Sequence, residues 1–383
     1  MTRLSLFLIL GCIRGAWAAD SLPAPGNVGS AEYPRIAPDL SVTFRLRAPN
    51  AKQVKLEGGA GLLQQPLQMI RSDEGVWTIT TAPAVPGFHY YWFNVDGLLV
   101  HDPSSYSYFG YGHETSGLEI PEAGADFYNA KQDIPHGEVR AHWYFSKITG
   151  KWRRAFVYTP PGYDKSTRTR FPVLYLLHGA GENERGWIDQ GRANFILDNL
   201  IAAKRATPMI LVVDSGYASY ANAASGTNQS RPNPMRATEA FSEVMLKEII
   251  PNIDAHYRTV AKPEHRAMAG LSMGGMQTLN LALRHLDQFA WIAGMSSPPR
   301  GSFDVTTAYD GVFRDAANFN KKVKLFWLGA GTAESRFHES AAAVHEALDR
   351  AGVKNVFYSS PGTDHEWQTW RRSLHDFAPR LFR

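Results

Sequence analysis

The stretch HRAMAGLSMGGMQTLNLALRH, residues 265–285, constrains the fold more than any other part of the sequence. An apolar run typical of a buried strand leads into Ser272, and the residues after it have helical spacing. Gly270, Gly274 and Gly275 surround the serine. A G-x-S-x-G turn needs small residues because the strand and helix backbones pass close together. A glycine-rich packing turn without chemistry is the alternative. The context favours a nucleophile elbow, with the serine hydroxyl at the helix N-terminus.

The pattern of apolar runs divides the chain into two parts. In residues 137–383, near-continuous apolar runs such as FPVLYLLHG and PMILVVD alternate with segments of helical spacing, which predicts an α/β domain with a mostly parallel sheet. Residues 37–119 contain short β-branched and aromatic runs bounded by turn residues, which predicts a small all-β, immunoglobulin-like sandwich. Residues 19–36 and 120–136 have no clear period, and we interpret both as linkers.

The N-terminus is typical of a signal peptide. Arg3 precedes the apolar run LSLFLILG, and AWA at 16–18 supplies small residues for cleavage. We therefore expect residues 1–18 to be removed and the protein to be secreted or periplasmic. The single cysteine of the sequence, Cys12, lies in this segment, so a lipoprotein signal ending there is the alternative. No stretch is long and apolar enough to predict a membrane span.

The charge balance indicates which partners to expect. The 383 residues include 40 Lys and Arg against 36 Asp and Glu, a formal net charge of +4. This excess is too small to predict a nucleic-acid surface. Histidine, aspartate and glutamate do not cluster at ligand spacing, so we expect no metal. The sequence does not indicate an oligomeric state.

A nucleophilic serine needs a base, and in this arrangement the acid and then the histidine follow the serine along the chain. The histidines well downstream are His338, His345, His365 and His375. His338 and His345 fall on a predicted amphipathic helix, and His375 falls in a terminal helical stretch. His365 lies in SSPGTDHEW, a loop after a predicted strand, where the base must be. We predict His365 as the general base.

Glu334 is the predicted acid of the triad. It is the carboxylate in the loop after the predicted strand KLFWLG, where it would orient the imidazole and stabilise the imidazolium. Asp304, Asp310 and Asp315 come earlier, in a predicted loop or insertion. Asp364 adjoins the histidine in sequence, and from there a carboxylate rarely reaches the ring Nδ1.

Backbone N–H groups are expected to form an oxyanion hole. One is that of Met273, directly after the nucleophile. The other is that of Ala180 in LLHGAGENERGW, where glycines would let the amides turn toward a substrate carbonyl; a plain glycine turn is the alternative. Candidate substrate-contact aromatics, each equally consistent with a core role, are Trp187, Tyr217, Tyr220 and Trp367.

Together these motifs resemble carbohydrate esterase family one. The segments HGEVRAHWYFSKITGKWRRAFVYTPPGYD, LLHGAGENERGW, ANFILDNLIA, GLSMGG and DHEWQTWRRSLHDF are similar to bacterial feruloyl and acetyl-xylan esterases of the esterase D type. The similarity spans residues 137–383. Within 37–119, VTFRLRAPNAKQVKLEG and HDPSSYSYFG resemble the isoamylase N-terminal-like carbohydrate-binding module.

The resemblance implies an α/β-hydrolase fold with a triad of Ser272, Glu334 and His365; relatives often carry Asp at the position of Glu334. It implies hydrolysis of feruloyl or acetyl esters on xylan-type plant polysaccharides or oligosaccharides through an acyl-enzyme, without a cofactor. Feruloyl or acetyl preference stays open, as does whether the β domain binds glycan or packs against the esterase domain. Alternatives are hydrolysis of another ester, such as a siderophore lactone, and a non-catalytic carbohydrate-binding protein.

Overall fold

The computed structural model describes residues 21–221, 234–299 and 303–383. The predicted signal peptide, including Cys12, lies outside these residues. Within them, the strands form an N-terminal all-β region of two sheets and an α/β domain around one mixed sheet. No helix in the described ranges is long and apolar enough to cross a membrane.

The all-β region packs two sheets around a shared apolar core. In the described part of the region, one sheet has the order β1-β2-β3-β7-β6 and the other the order β10-β11-β8-β4-β5, with β9 paired to β8. Alternate residues of strands in both sheets, such as Val42 and Phe44 in one and Tyr91 and Phe93 in the other, are buried in that core. The strands are β1 (Leu22–Pro23), β2 (Arg35–Ile36), β3 (Val42–Arg47), β4 (Val54–Gly58), β5 (Leu67–Gln68), β6 (Ile70–Arg71), β7 (Val76–Thr80), β8 (Gly87–Val95), β9 (Leu98–Val100), β10 (Ser107–Gly110) and β11 (His113–Ile120).

The structure revises both predicted linkers. Residues 21–36, expected to be a linker, contain β1 and β2, which pair with each other and extend the first sheet through β3. The segment 120–136 contains a 3₁₀ turn, Asp126–Tyr128, and the Tyr128 ring is buried against the α/β domain. Two-residue strands and a single anchoring ring are too short to give a periodic pattern.

The α/β domain has one sheet of order β12-β13-β15-β14-β16-β17-β18-β19 in the described residues. β13 runs antiparallel to both β12 and β15, and the remaining pairs are parallel. The central strands are buried along their whole length, as expected for strands covered on both faces. The strands are β12 (Glu138–Ser146), β13 (Lys151–Thr159), β14 (Val173–Leu177), β15 (Ile210–Asp214), β16 (Arg266–Leu271), β17 (Trp291–Met295), β18 (Leu325–Gly331) and β19 (Val356–Ser360).

Helices cover both faces of this sheet. The described helices are α1 (Gly186–Asp189), α2 (Ala193–Ala202), α3 (Pro234–Val244), α4 (Ile250–His256), α5 (Ser272–Ala282), α6 (Ala308–Gly311), α7 (Ala316–Lys322), α8 (Ser335–Arg350) and α9 (Trp367–Phe377). A π-helical turn, Met245–Ile249, joins α3 to α4. One apolar core lies under α4, α5, α7 and α8, and a second lies under α1, α2 and α9. The second core also includes Phe88 and Tyr90 of β8, so the all-β region packs into it.

A buried ion pair joins the two regions. Arg371 of α9 donates to both carboxylate oxygens of Glu119 on β11, at 2.7 and 3.0 Å. Its Nε donates to the Gln190 carbonyl at 2.9 Å, and its guanidinium lies 4.4 Å from the centre of the Tyr128 ring. Burial alone would raise the pKa of Glu119, but the charge and hydrogen bonds of Arg371 hold it below its usual range. The position of the all-β region therefore depends on the guanidinium charge of Arg371, which is fully buried.

We predict that Arg371→Met lowers the free energy of unfolding by up to about 3–5 kcal/mol, because it leaves the Glu119 carboxylate with only the longer contact to Arg192, at 3.4 Å. The double variant Glu119→Leu/Arg371→Met should regain most of this loss, since it removes both charges. Urea denaturation followed by circular dichroism measures both effects.

The matched control is Arg380→Ala, which breaks an exposed pair with Asp376 near the same helix. Its cost should be at most about 1 kcal/mol. An Arg371→Met variant no less stable than this control would contradict the role given to the buried pair.

Candidate active site

Ser272 lies at a strained turn between β16 and α5. Its φ is +49°, in the left-handed region that a residue with a Cβ rarely adopts. A Cβ on Gly270 would lie 2.4 Å from the carbonyl carbon of Gly274, and one on Gly274 would lie 2.4 Å from the His178 oxygen. A Cβ on Gly275 would lie 2.0 Å from the Ser297 Oγ. The glycines around the serine are therefore required by close packing of the strand, the helix and their neighbours.

Three side chains from separate loops meet at this turn. The His365 Nε2 lies 3.0 Å from the Ser272 Oγ, and the His365 Nδ1 lies 2.7 Å from the Glu334 Oε2. Glu334 follows β18 and His365 follows β19, so both lie at the edge of the sheet that Ser272 reaches after β16. A hydroxyl, an imidazole and a carboxylate in this order can support nucleophilic catalysis.

The Glu334 carboxylate is fixed by further hydrogen bonds. Its Oε1 accepts from the Gly331 N–H at 2.8 Å and from the Ser296 Oγ at 2.7 Å. The Trp370 Nε1 in turn donates to the Ser296 Oγ at 3.1 Å. Glu334 is 4% exposed, so these donors replace water around one oxygen and leave the other for His365.

The other carboxylates considered for this role have different partners. Asp304 accepts hydrogen bonds from Thr306, Asp310 from Arg284, and Asp315 from the N–H of Asn318 at the start of α7. Asp364 accepts from the backbone N–H of His365, as expected for a residue next to it in the chain.

The loop after β14 passes beside the serine. Ala180 lines the same cavity as Ser272, and a Cβ on Gly179 would lie 3.6 Å from the Ser272 Cβ. Met273 is the second residue of α5, where N–H groups have no partner within the helix. His178 holds the loop in place: its Nε2 accepts from the Gly216 N–H at 2.9 Å, and burial lowers its pKa to about 4.

A cavity of about 180 Å³ opens at Ser272. Its walls come from both regions of the protein. The α/β domain contributes Glu182, His365, Glu366, Trp367 and Trp370 beside the serine and its neighbours. The all-β region contributes Gly59, Ala60, Phe88, His89, Tyr90 and Tyr111. A second cavity of about 370 Å³ meets Ser272 from the side of β17 and is bordered by Ser297, Arg336 and Phe337.

Tyr90 is the polar link between the regions at this cavity. Its hydroxyl donates to the Glu182 Oε1 at 3.0 Å. It accepts from the Gln190 Nε2 at 2.8 Å and from the Trp367 Nε1 at 2.9 Å. All three partners belong to the α/β domain, and Tyr90 is on β8. Without the all-β region, these buried groups would lose their shared partner and the cavity would lose one wall.

Comparison with known proteins assigns a family to this arrangement. The profile of the Esterase family matches residues 146–381. A curated endo-1,4-beta-xylanase/feruloyl esterase from Xylanibacter ruminicola is 38% identical over 371 residues, which is 95% of this chain. The chain belongs to the esterase family. It spans 48%, about half, of the length of that relative. The family membership predicted from the motifs is thereby confirmed.

Solved esterase structures share the fold. A ferulic acid esterase of carbohydrate esterase family one from Anaeromyces mucronatus is 22% identical, covers 68% of this chain and 96% of its own, and has a TM-score of 0.56. The enterobactin esterase of Shigella flexneri is 19% identical, covers 88% of this chain and 92% of its own, and has a TM-score of 0.62. At these identities the likeness concerns the fold alone. The second match is longer than the α/β domain and so includes part of the all-β region.

Two buried carboxyl groups lie in the cavity wall of the esterase. Burial raises the pKa of Glu182 to about 7 and the pKa of Glu366 to about 7. Glu182 accepts from the Gly179 N–H at 3.2 Å in addition to Tyr90. The Glu366 Oε2 has no hydrogen-bond partner among the described residues and lies 3.9 Å from the His89 Nδ1. The Glu366 Oε2 is therefore an unused acceptor that lies behind the cavity wall.

The four predicted substrate-contact aromatics lie in different places. Trp367 lines the cavity, and Tyr217, which is 47% exposed, lies outside it with its hydroxyl accepting from the Gly181 N–H at 2.7 Å. Trp187 is fully buried behind Trp367, so the expectation of substrate contact is corrected to one of support for the wall. Tyr220 packs against the core of the α/β domain and donates to Glu243 at 3.1 Å, so its predicted contact is corrected too.

Several cavity residues were not predicted from the sequence. Glu182 and Glu366 lie in the motifs LLHGAGENERGW and DHEW. Their positions beside the expected oxyanion loop and the expected base could have indicated that they line the site. Tyr90 and Tyr111 of the all-β region had no such signal. Aromatic residues in a strand pattern do not reveal whether they face their own core or a neighbouring domain.

We predict that Glu182 and Glu366 contribute a decline in the stability of the esterase as the pH rises from about 4.5 to about 7, opposed by buried histidines such as His178, whose pKa is lowered to about 4. The pKa values of Glu182 and Glu366 rise from 4.5 to about 7 on folding, so the folded state binds more protons than the unfolded state in this window. Glu182→Gln/Glu366→Gln should flatten this decline, because an amide does not ionise. Urea denaturation at a series of pH values measures the difference between the two proteins.

Glu346→Gln, which changes an exposed carboxylate on α8, is the control and should follow the wild type. If the double variant kept the full pH dependence between pH 4.5 and 7, the assignment of these two protons would be refuted.

Proposed function

We propose that this esterase hydrolyses hydroxycinnamoyl esters, feruloyl esters above all, on xylan-type plant polysaccharides or their oligosaccharides. The observation that carries the proposal is the cavity at Ser272. Its volume of about 180 Å³ is more than ten times the roughly 10–15 Å³ that one water needs on the same scale, so an acetyl group would leave most of it empty. A planar aromatic acyl group suits walls that include Phe88, Tyr90, Trp367 and Trp370.

The unpaired Glu366 Oε2 behind the cavity wall favours an acyl group with a hydroxyl. Once the carboxylate turns toward the cavity, a phenolic hydroxyl that donated to it would satisfy a buried oxygen that otherwise has no partner among the described residues. An acetyl group offers no such donor. The 38% identical relative is named endo-1,4-beta-xylanase/feruloyl esterase, which agrees with this choice of substrate.

Ser272 is the proposed nucleophile. His365, 3.0 Å away, takes the hydroxyl proton as the Ser272 Oγ attacks the ester carbonyl carbon. The same imidazole then gives the proton to the departing alcohol, leaving an acyl-enzyme. Water activated by His365 attacks the acyl-enzyme and releases the carboxylic acid. Glu334 holds the proton of the imidazole on Nδ1, facing the carboxylate, and stabilises the imidazolium.

The backbone N–H groups of Ala180 and Met273 are the proposed oxyanion donors. Ala180 lies on the loop beside the serine, and Met273 lies at the start of α5, where the helix dipole adds to the stabilisation of negative charge. Ser272 at the start of a helix after a parallel strand is the position of the nucleophile in an α/β-hydrolase, the fold class that we propose for this domain.

For the all-β region, we propose an immunoglobulin-like sandwich that serves as a wall of the acyl pocket. Six of its residues line the cavity, and Tyr90 and Glu119 anchor it to the α/β domain. This supports the packing alternative over an independent carbohydrate-binding module. We further propose that the protein is secreted or periplasmic. The predicted signal peptide supports this location, and the proposed cell-wall substrate agrees with it.

Hydrolysis of a siderophore lactone is the competing function. The likeness to enterobactin esterase includes part of the all-β region, but at 19% identity it concerns the fold. Acetyl-xylan hydrolysis is a second competing function. The cavity size argues against it, because an acetyl group would leave most of the cavity empty. A non-catalytic carbohydrate-binding protein does not need the hydrogen-bonded Ser272, His365 and Glu334.

We predict that Ser272→Ala loses at least about a thousandfold in kcat on methyl ferulate while the melting temperature is unchanged or higher. Glu334→Gln should lose about a thousandfold or more, because the amide can present its NH₂ group to the imidazole and favour the wrong tautomer. Asp315→Asn, at the start of α7, should keep kcat near the wild-type value. A Glu334→Gln variant more active than Asp315→Asn would refute the assignment of the acid.

We predict a substrate order of methyl ferulate above methyl cinnamate, with acetylated xylan and enterobactin lowest. The hydroxyl that methyl cinnamate lacks should be worth about tenfold in kcat/KM, the upper size expected for one ordinary hydrogen bond. Initial rates on all four compounds, measured by chromatography of the released acids, give the order. Faster hydrolysis of enterobactin or acetylated xylan than of methyl ferulate would overturn the proposed function.

A further inference from the structure

The hairpin of β12 and β13 extends past the catalytic edge of the sheet. β15 ends at Asp214, which is opposite Ala155 of β13. The four residues of β13 before Ala155, starting at Lys151, therefore project beyond this edge by roughly 13 Å at about 3.3 Å per residue. Ser272 and the loop after β14 lie at the same edge, so the hairpin stands beside the catalytic centre.

The projecting end presents an exposed aromatic surface. Trp143, Phe145 and Trp152, here called the aromatic platform, are 57%, 51% and 68% exposed. Phe145 is opposite Trp152, and Trp143 is opposite Arg154, so all of these side chains share one face of the hairpin. The Phe145 and Trp152 rings are 5.8 Å apart in an edge arrangement. Soluble proteins rarely expose several large aromatics together unless they form a binding surface.

The platform borders a cleft with polar walls. The cleft, of about 460 Å³, lies between Trp143, Trp152 and Tyr217. Arg154 donates to Glu184 at 2.7 Å within it, and Lys151 lies at its border. Aromatic faces beside charged donors and acceptors match a sugar, which has apolar C–H faces and a rim of hydroxyl groups.

The cleft connects to the catalytic loops through a rigid segment. The Tyr217 hydroxyl accepts from the N–H of Gly181, one residue after the proposed oxyanion donor Ala180. Arg153 fixes this segment by donating to the Tyr217 carbonyl at 2.8 Å and to the Ser215 carbonyl at 2.6 Å. Arg153 also donates to the hydroxyl of the buried Tyr144 at 2.8 Å. The side of the cleft nearest Ser272 is thus held in one geometry.

We propose that the aromatic platform is a subsite for the sugar chain of the esterified substrate, which rests on the function proposed above. In the sheet, β13 and β16 are three strand spacings apart, roughly 14 Å at about 4.8 Å each. A sugar that carries the ester cannot span this distance alone, whereas a chain of several sugars can. The acyl group enters the cavity at Ser272, and the glycan runs across Tyr217 to Trp143 and Trp152.

Trp143→Ala/Trp152→Ala tests the subsite. We expect kcat/KM on a feruloylated arabinoxylo-oligosaccharide to fall at least about tenfold, mainly through KM, because aromatic anchors that contact a ligand typically cost this much when truncated. On methyl ferulate, which has no glycan, kcat/KM should stay within about twofold. Trp143→Phe/Trp152→Phe should recover most of the loss, since it restores an aromatic face.

Direct binding separates this proposal from the proposed function. Titration calorimetry of the Ser272→Ala protein with an arabinoxylo-oligosaccharide that carries no feruloyl group should show binding, and adding the two platform substitutions should remove it. This measurement does not require ester hydrolysis. If the wild type did not hydrolyse methyl ferulate but the oligosaccharide bound in a platform-dependent way, the proposed function would be refuted and the subsite retained. If methyl ferulate were hydrolysed but no platform-dependent binding were seen, only the subsite would be refuted.

Two control variants test whether the oligosaccharide binds at another place on the protein. Tyr106→Ala removes an aromatic that is 62% exposed on the all-β region, and it should leave oligosaccharide binding unchanged. Arg336→Ala alters the cavity that meets Ser272 from the side of β17. If either variant weakened oligosaccharide binding more than the platform substitutions, the glycan would lie elsewhere. Conversion of a dimer to a monomer by the platform substitutions in sedimentation analysis, with glycan binding unchanged, would instead assign the surface to a second copy of the chain.

Discussion

The close approach of β14, β16 and α5 is the constraint on which the catalytic edge depends. A Cβ on Gly270 or on Gly274 would lie 2.4 Å from a backbone atom of a neighbouring element. Only with the glycines can the chain turn so sharply that Ser272 takes a φ of +49°, at a cost of about 1–3 kcal/mol. Fully buried parallel strands on both sides offset this cost, and they also bring the loops after β14, β18 and β19 to the same edge.

Buried polar groups shared between the two regions form the second constraint. The Tyr90 hydroxyl is bound to Glu182, Gln190 and Trp367, so its hydrogen bonds are complete only when the all-β region is docked. The environments of the carboxyl groups then differ sharply. Glu334 has His365 and two further donors, whereas Glu182 has neutral donors alone among its hydrogen-bond partners. Burial without a hydrogen-bonded cation raises the pKa of Glu182.

The sequence predicts the parts of this site that are local. Ser272 is marked by a strand, a tight turn and a helix, and His365 and Glu334 are each marked by a loop directly after a strand, so topology alone brings them to one edge. The contribution of the all-β region cannot be read in this way. Tyr90 and Tyr91 are neighbours in FHYYWFNVDG, yet Tyr91 faces the core of its own region and Tyr90 faces the α/β domain. Which face of β8 meets another domain depends on docking. The pairing of β1 with β2 was missed because two-residue strands have no measurable period.

As a result of these constraints, the all-β region lines one side of the site at Ser272 but not the other. This difference is relevant to the proposed substrate. The all-β region lines the cavity at Ser272, which the proposed function assigns to the acyl group. Among the described residues, the opposite side, toward β15 and β13, is a cleft beside the projecting hairpin. The proposed substrate, an ester within a polymer, fits this asymmetry: its acyl group can enter the pocket, but its alcohol is one unit of a chain that continues in both directions. Under that proposal, a cover on both sides would restrict hydrolysis to small esters, whereas an open side with exposed aromatic faces leaves a polymer a path past the serine.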